Sequence, residues 1–256
     1  MKTNLIVLLM LFLQSSLVIA QDTIAERKLS IPIGIFTSDN RDIYGLSVGI
    51  GSDLYMDSET VGVRSNGIRI EPLSSSLLIA TLFFGPDQVI YPKKSEEFEA
   101  FAKKVPNEII NGINLSCGTN AFANVNGITV SALLQSFKDT NGISITGLGS
   151  SSFRNNGIQI AGAGTYATYS NGLIVSLMNT EINTGTGIQI GAFNHYVNFT
   201  GLQLGMCNDI NSQAQKFTGL QIGIYNRTKK LRGIQLGLIN VNEKRTLPFI
   251  NWNFKN

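Results

Sequence analysis

The sequence has little charge, little cysteine and a single histidine, and each shortage excludes a class of protein. Only 14% of the 256 residues are charged and the net charge is +3. These values exclude a disordered solvating chain and argue against nucleic acid as a partner. Two cysteines are too few for a disulfide-built miniprotein, and one histidine excludes a histidine-rich metal site.

Long apolar runs are also missing after the first residues. Residues 1–20 carry one charge, Lys2, followed by the apolar run Leu5–Leu13 and the small residue Ala20. This pattern is typical of a secretory signal peptide, and the run is too short for a membrane-spanning helix. We therefore expect an exported protein whose mature chain begins after Ala20.

An internal repeat is the main signal in the rest of the chain. The phrase Gly-Ile/Leu-x-aliphatic, preceded by Asn or Thr in most copies, recurs nine times. Its glycines are 14 to 18 residues apart: Gly112, Gly127, Gly142, Gly157, Gly172, Gly187, Gly201, Gly219 and Gly233. An outlying copy lies at Asn66–Ile70. Regular repeats of this kind indicate stacked structural units.

Within each copy, residue types alternate with a period of two. The first and third residues after the glycine are aliphatic, whereas the second is usually polar. Alternation predicts a β-strand with two unlike faces. We expect the aliphatic face to point inward and the polar face outward, with a candidate surface ladder at Gln189, Gln203, Gln221 and Gln235.

Two all-β architectures accommodate this pattern. In a parallel β-solenoid of about nine 14–18-residue repeats, each copy is one coil, and Asn recurring at one corner forms a ladder of amide hydrogen bonds. In an antiparallel outer-membrane β-barrel, each copy is one strand with its aliphatic face toward lipid. Barrel strands alternate in direction and should repeat best in pairs, whereas every copy here resembles its immediate neighbour. The solenoid is therefore favoured, with the barrel as the alternative.

The segments outside the repeats are expected to close the stack. The predicted organisation is a signal peptide (1–20), a β-rich N-terminal cap (21–110), tandem repeats (111–246) and a closing strand (247–256). In the cap we expect strands at Ile31–Phe36, Tyr44–Gly51 and Leu77–Phe84, and a short helix from Ser95 to Val105. Phe98, Phe101 and Val105 should share the apolar face of that helix.

Chemistry-bearing residues are sparse in the repeats, so we expect no enzyme activity, no cofactor and no metal site. A carbohydrate-active enzyme would need a carboxylate cluster outside the repeats, for example around Asp53, Asp57 and Glu59. Cys117 and Cys207 belong to distant copies, so we expect two unpaired thiols. A basic cluster is the candidate contact for an anionic surface: Arg227, Lys229, Lys230, Arg232, Lys244 and Arg245.

The C-terminal copies are similar to a known repeat. Residues 219–226 and 233–240, together with the aromatic segment 247–254, resemble bacterial surface-repeat proteins with the phrase Gly-Leu-Gln-Ile-Gly-Leu, found in Bacteroidetes-type Gram-negative bacteria and spirochaetes. Earlier copies depart from it, and the lipoprotein cysteine of some relatives is missing.

The resemblance implies an envelope protein without enzymatic activity or assigned ligand residues, located at the outer membrane, cell surface or periplasm of a Gram-negative bacterium. We expect a non-catalytic structural or binding module. The alternative function is an outer-membrane pore or anchor. The partner is left open among envelope lipid, lipopolysaccharide and a surface protein.

Overall fold

The computed structural model describes residues 27–36, 40–50, 60–72, 95–209 and 214–254. Three sequence-based predictions lie outside these residues: the signal peptide, the strand Leu77–Phe84, and the carboxylates Asp53, Asp57 and Glu59.

The described residues form one large sheet with one short helix. A 3-10 turn at Ser95–Glu97 leads into helix α1, Phe98–Lys103. The strands are β1 Lys28–Ser30, β2 Ile33–Ile35, β3 Arg41–Val48, β4 Val63–Glu71, β5 Glu108–Ser116, β6 Thr119–Asn120, β7 Ala123–Ser131, β8 Leu134–Thr146, β9 Gly149–Ala161, β10 Gly164–Ser176, β11 Asn179–Ile190, β12 Phe193–Leu204, β13 Cys207–Asn208, β14 Lys216–Ile222, β15 Tyr225–Arg227, β16 Lys230–Val241 and β17 Thr246–Asn253.

Neighbouring coils run in the same direction, which confirms the parallel β-solenoid. Gly219 lies beside Gly201 on one side and Gly233 on the other, in parallel register. Every pairing from β1 through β16 is parallel, and the stack has about 12 coils. The barrel alternative is therefore wrong, because barrel strands alternate in direction.

The solenoid begins earlier than the sequence indicated. Strand β3 pairs with β4 and β4 with β5 in the same register, so Gly45, Gly67 and Gly112 form one column. Residues assigned to a separate cap thus contribute ordinary coils. The coil of Gly45 is marked only by the glycine and the aliphatic residues after it, and the long connection between β4 and β5 interrupts the spacing between Gly67 and Gly112.

The repeated glycines are required by the close approach of successive coils. Gly233 has φ of 150°, and a Cβ added there would overlap the carbonyl oxygen of Gly219. Gly142 has the same relation to Gly127, with φ of 133°. A positive φ and a facing carbonyl each exclude an ordinary side chain, so only glycine fits this column.

Helix α1 packs against aromatic side chains of several coils within the stack, whereas strand β17 covers the last coil. Phe98 and Phe101 are buried against Phe122 and Phe153, but the helix ends before Val105 because Lys104 is already extended. Strand β17 reverses direction and pairs antiparallel with β16. It therefore occupies the last parallel edge, and an open edge would otherwise invite further strand pairing.

Candidate functional site

The two faces of each repeat strand point opposite to the prediction. In β16, Gln235 is fully buried, whereas Leu236 is 36% exposed. In β10, Ile174 is buried between the half-buried, outward-facing Leu173 and Val175. The alternation is as expected, but the aliphatic residues at the first and third positions lie on the outer surface.

The predicted glutamine ladder exists but is internal, so its assignment as a surface feature is wrong. The Nε2 atom of each residue donates to the Oε1 atom of the preceding one, at 2.6 Å from Gln203 to Gln189, 2.6 Å from Gln221 to Gln203 and 2.8 Å from Gln235 to Gln221. Asn251 of β17 ends the ladder by donating to Gln235 at 3.1 Å. All five side chains are fully buried.

The ladder explains why polar side chains occupy the interior. Each amide both donates and accepts, and the coil spacing of about 4.8 Å lets one amide reach the next. A buried polar group that is hydrogen-bonded in this way avoids most of the cost of leaving water. The apolar interior comes instead from the segment before the glycine, as at Phe199, Phe217 and Leu231.

Asparagines form two further ladders. The inner one is fully buried, with amide contacts of 2.8, 2.6 and 2.7 Å along Asn194, Asn208, Asn226 and Asn240. The outer one lies just before the glycine column, with contacts of 2.8 Å along Asn66, Asn111, Asn126, Asn141 and Asn156. The outer ladder confirms the corner ladder expected for a solenoid.

At the N-terminal end, an ionic cluster replaces the interior amides. Arg69 is fully buried and contacts Glu108 at 2.7 Å, Glu71 at 3.0 Å and Asn114 at 2.8 Å. Burial raises the pKa of the Glu108 carboxyl, while the attraction of Arg69 opposes this shift. Because the partners of this cluster lie inside the coils, we interpret it as part of the packing.

The outward aliphatic residues form a continuous surface, which we call the ribbon. It consists of two columns of 13 side chains, each residue paired in register with the next. The first column is Ile33, Leu46, Ile68, Ile113, Ile128, Ile143, Ile158, Leu173, Ile188, Leu202, Leu220, Ile234 and Trp252. The second column is Ile35, Val48, Ile70, Leu115, Val130, Ile145, Ile160, Val175, Ile190, Leu204, Ile222, Leu236 and Ile250. Sequence analysis identified the members of these columns that belong to the nine repeats, but predicted that their side chains form the core.

The ribbon is long, apolar and uncharged. At about 4.8 Å per strand, 13 strands extend roughly 58 Å. The residues of the two columns are Ile, Leu, Val and Trp, all half-buried or exposed. Near the C-terminus the ribbon is widened by neighbouring exposed side chains, including Met206, Ile224, Leu238 and Phe249, which line an open apolar depression.

The predicted basic cluster is only partly brought together. Arg227, Lys229 and Lys230 line a depression of about 500 Å³, together with Lys216 and Glu243. We call this depression the basic groove. Lys216 was missed by sequence analysis, although it precedes Gly219 by the same three residues that separate Lys230 from Gly233.

The other three predicted cations lie elsewhere. Arg232 is exposed immediately before the Gly233 bend. Lys244 and Arg245 are in the turn between β16 and β17, where both backbone N–H groups donate to the side chain of Asn242. The Arg245 guanidinium lies 4.9 Å from the centre of the Trp252 ring and donates to the Trp252 carbonyl at 2.6 Å. Its role is therefore to hold β17 in place.

Other candidate groups can be placed directly. Cys117 is exposed and Cys207 half-buried, and both are free thiols, as predicted. Within the described ranges, no cluster of three or more His, Cys, Asp or Glu residues has the geometry to hold a metal ion. None of the helical residues in those ranges forms a segment long and apolar enough to cross a membrane.

No protein-family profile, no curated protein and no solved structure matches the chain. The resemblance to surface-repeat proteins therefore stays a prediction.

Proposed function

We propose that the chain is an exported, non-catalytic repeat protein of the bacterial cell envelope that acts as a structural and binding module. The ribbon is the observation that carries this proposal. The interior of the coils is occupied by side-chain ladders, an ionic cluster and packed apolar side chains, so the surfaces of the stack are what the repeats offer to other molecules. The most regular of these surfaces is apolar.

The size of the ribbon supports a contact role. Two columns of side chains along roughly 58 Å correspond to an area on the order of 700 Å². The largest apolar patch on a typical monomeric protein is about 300–600 Å² and is often functional. An apolar surface of this extent indicates that the ribbon is covered by another molecule when the protein functions.

Cell fractionation tests the proposal. The full chain, carrying a C-terminal tag, is expressed in a Gram-negative host, and we expect a shortened, processed form in the envelope fraction. In the ribbon variant, Ile145→Lys and Ile188→Lys are combined. These residues are 41% and 39% exposed, so lysine can be accommodated in the isolated fold. We expect this variant to move to the soluble periplasmic fraction.

The matched control combines Thr184→Lys and Thr200→Lys. Both threonines are exposed before the glycine bend, and their columns already contain Lys216 and Arg232. The control should therefore stay in the envelope fraction. An unprocessed cytoplasmic chain, or a ribbon variant that fractionates like the parent, would contradict the proposal.

A second contact is favoured by the basic groove. Four cations surround it, with Glu243 as the one acidic residue of its lining. Clustered cations near a membrane surface contribute about 1 kcal/mol each toward anionic headgroups at low salt. We infer that the groove contacts phosphate groups of envelope lipid or lipopolysaccharide.

Vesicle co-sedimentation tests this second contact. We expect binding to phosphatidylglycerol vesicles, loss of binding to phosphatidylcholine vesicles, and weaker binding as salt rises. The combined variant Lys229→Gln and Lys230→Gln should bind several-fold more weakly. Lys28→Gln with Lys103→Gln removes the same charge at exposed positions of β1 and α1 and should bind like the parent. Equal losses in both double variants would show a general charge effect and remove the groove assignment.

A further inference from the structure

We propose that the ribbon is the interface of a homodimer in which two copies pack ribbon against ribbon. This inference rests on the proposed function, because it names the occupant of the same apolar surface. It follows from three properties of the ribbon: its regular spacing, its lack of charge and its area.

The ribbon is complementary to itself. Its side chains are evenly spaced along the stack because the coils are in register over the whole length. A second copy presents the same spacing, so a two-fold axis lying between the ribbons aligns the side chains of both. Sheets that pack face to face lie about 10 Å apart with interdigitated side chains. An arrangement of this kind is isologous and closes at two copies.

Electrostatics also favour a second copy. The ribbon columns contain no charged residue, so two ribbons meet without repulsion between like charges. The cations of the basic groove lie on segments before the glycine bend, whereas ribbon residues follow it. The groove therefore stays open in the dimer.

The buried area is sufficient for a stable dimer. An area on the order of 700 Å² per copy gives about 1,400 Å² in total, within the range of standard protein–protein interfaces. Growth at the C-terminal end of the stack is disfavoured by β17, which covers the last parallel edge. Association through the lateral ribbon does not require either end of the stack.

Sedimentation velocity of the full secreted chain, measured over a range of concentrations, tests the dimer. We expect a dimer at micromolar concentration. Ile145→Lys with Ile188→Lys should weaken dimerisation at least 100-fold, because four ammonium groups would enter a dry interface. The control Thr184→Lys with Thr200→Lys should dimerise like the parent. Circular dichroism of each variant verifies that the coils remain folded.

Cysteine crosslinking tests the geometry without disturbing the ribbon with charge. In a background with Cys117→Ser and Cys207→Ser, Ile160→Cys places a thiol in the central layer of the ribbon. A two-fold axis between the ribbons, whether it runs along the stack or along the strands, brings this thiol close to the same thiol of the second copy. A bismaleimide with a span of roughly 10 Å should then give covalent dimers. Thr184→Cys, on the other side of the bend, should not.

The outcomes separate this inference from the proposed function. A monomeric parent whose ribbon variant still leaves the envelope fraction would assign the ribbon to another partner and overturn the dimer, while the proposed function would stand. A dimer unaffected by the ribbon lysines, or one not crosslinked through Ile160→Cys, would also overturn it. A ribbon-dependent dimer absent from the envelope fraction would remove the proposed function and leave the dimer intact.

Discussion

Gln235 donates a hydrogen bond to the Oε1 atom of Gln221 at 2.8 Å, and neither side chain is exposed to solvent. Gln221 in turn donates to Gln203 at 2.6 Å and to the Tyr196 hydroxyl at 3.0 Å. One amide thus connects two neighbouring coils and the aromatic interior, and the stability of the stack should depend on it.

Removal of this amide tests the ladder. Gln221→Leu keeps the volume but leaves Gln203 without its donor and Gln235 without its acceptor in the interior. Each unsatisfied buried group costs about 1–3 kcal/mol, so we expect the free energy of unfolding to fall by about 2–5 kcal/mol in urea titrations. Gln215→Leu, at an exposed position, should change it by less than about 0.5 kcal/mol. Equal effects at both positions would argue against a buried ladder.

A second stability prediction concerns the column of repeated glycines. Gly142 has positive φ and faces the carbonyl of Gly127, so Gly142→Ala should lower the free energy of unfolding by at least about 3 kcal/mol or prevent folding. At Gly164 an added Cβ would meet Asn179 O at an ordinary 3.6 Å. Gly164→Ala should therefore be nearly neutral. Thermal unfolding of both variants measures the contrast, and a tolerated Gly142→Ala would contradict the close approach of the coils.

The inner and outer asparagine ladders should differ in their contribution to stability. Asn226 is fully buried, and its amide donates to Asn240 at 2.7 Å and to the Leu236 carbonyl at 2.9 Å. Asn141 makes a similar 2.8 Å contact with Asn126, but at the surface. Asn226→Ala should cost about 2–4 kcal/mol, whereas Asn141→Ala should cost about 1 kcal/mol or less, since water replaces the lost partner. Urea unfolding midpoints of the two variants measure this difference. A larger loss for Asn141→Ala than for Asn226→Ala would contradict the assignment of the Asn226 ladder to the interior.

Alkaline pH should destabilise the fold through Tyr196. Burial raises the pKa of its hydroxyl far above the usual value, although hydrogen bonds from neighbouring side chains oppose this shift. A pKa that is higher in the folded state means that the unfolded chain loses its proton first. The contribution of the protonated Tyr196 hydroxyl to the free energy of unfolding is thus fully present below pH about 10. Above that pH it declines by up to about 1.4 kcal/mol per pH unit.

The Tyr196→Phe variant isolates this effect. Its free energy of unfolding should fall less steeply than that of the parent above pH about 10, as measured by urea titrations at several pH values. Absorbance of ionised tyrosine should also rise in the parent on alkaline unfolding. Parallel pH profiles of parent and variant would show that Tyr196 is already solvated in the folded state.

The sequence predicted the direction and register of the coils because both follow from local similarity. Successive copies resemble each other, and Gly219 indeed lies between Gly201 and Gly233. Gly45 was missed because the spacing to Gly67 is irregular and few other residues of its coil match the repeat. Long insertions remove the periodicity but not the structural register.

The orientation of the faces could not be obtained from alternation alone. A period of two shows that two faces differ, but the rule that apolar residues are buried does not require every apolar residue to be inside. The useful signal was the uniform amide column at Gln203, Gln221 and Gln235, since identical amides one coil apart can satisfy each other. The aromatic residues before the glycines, such as Phe217, supplied the core that the aliphatic columns were predicted to form.

Strand β17 also has a consequence for how such a chain changes over generations. Each coil depends chiefly on the coil before and after it, so duplicating or deleting one repeat unit adds or removes a layer of about 4.8 Å without disturbing the rest. The terminal strand only has to fit the final layer. The length of the stack can therefore change in steps of one coil, while the hydrogen bonds and packing within each remaining coil stay the same.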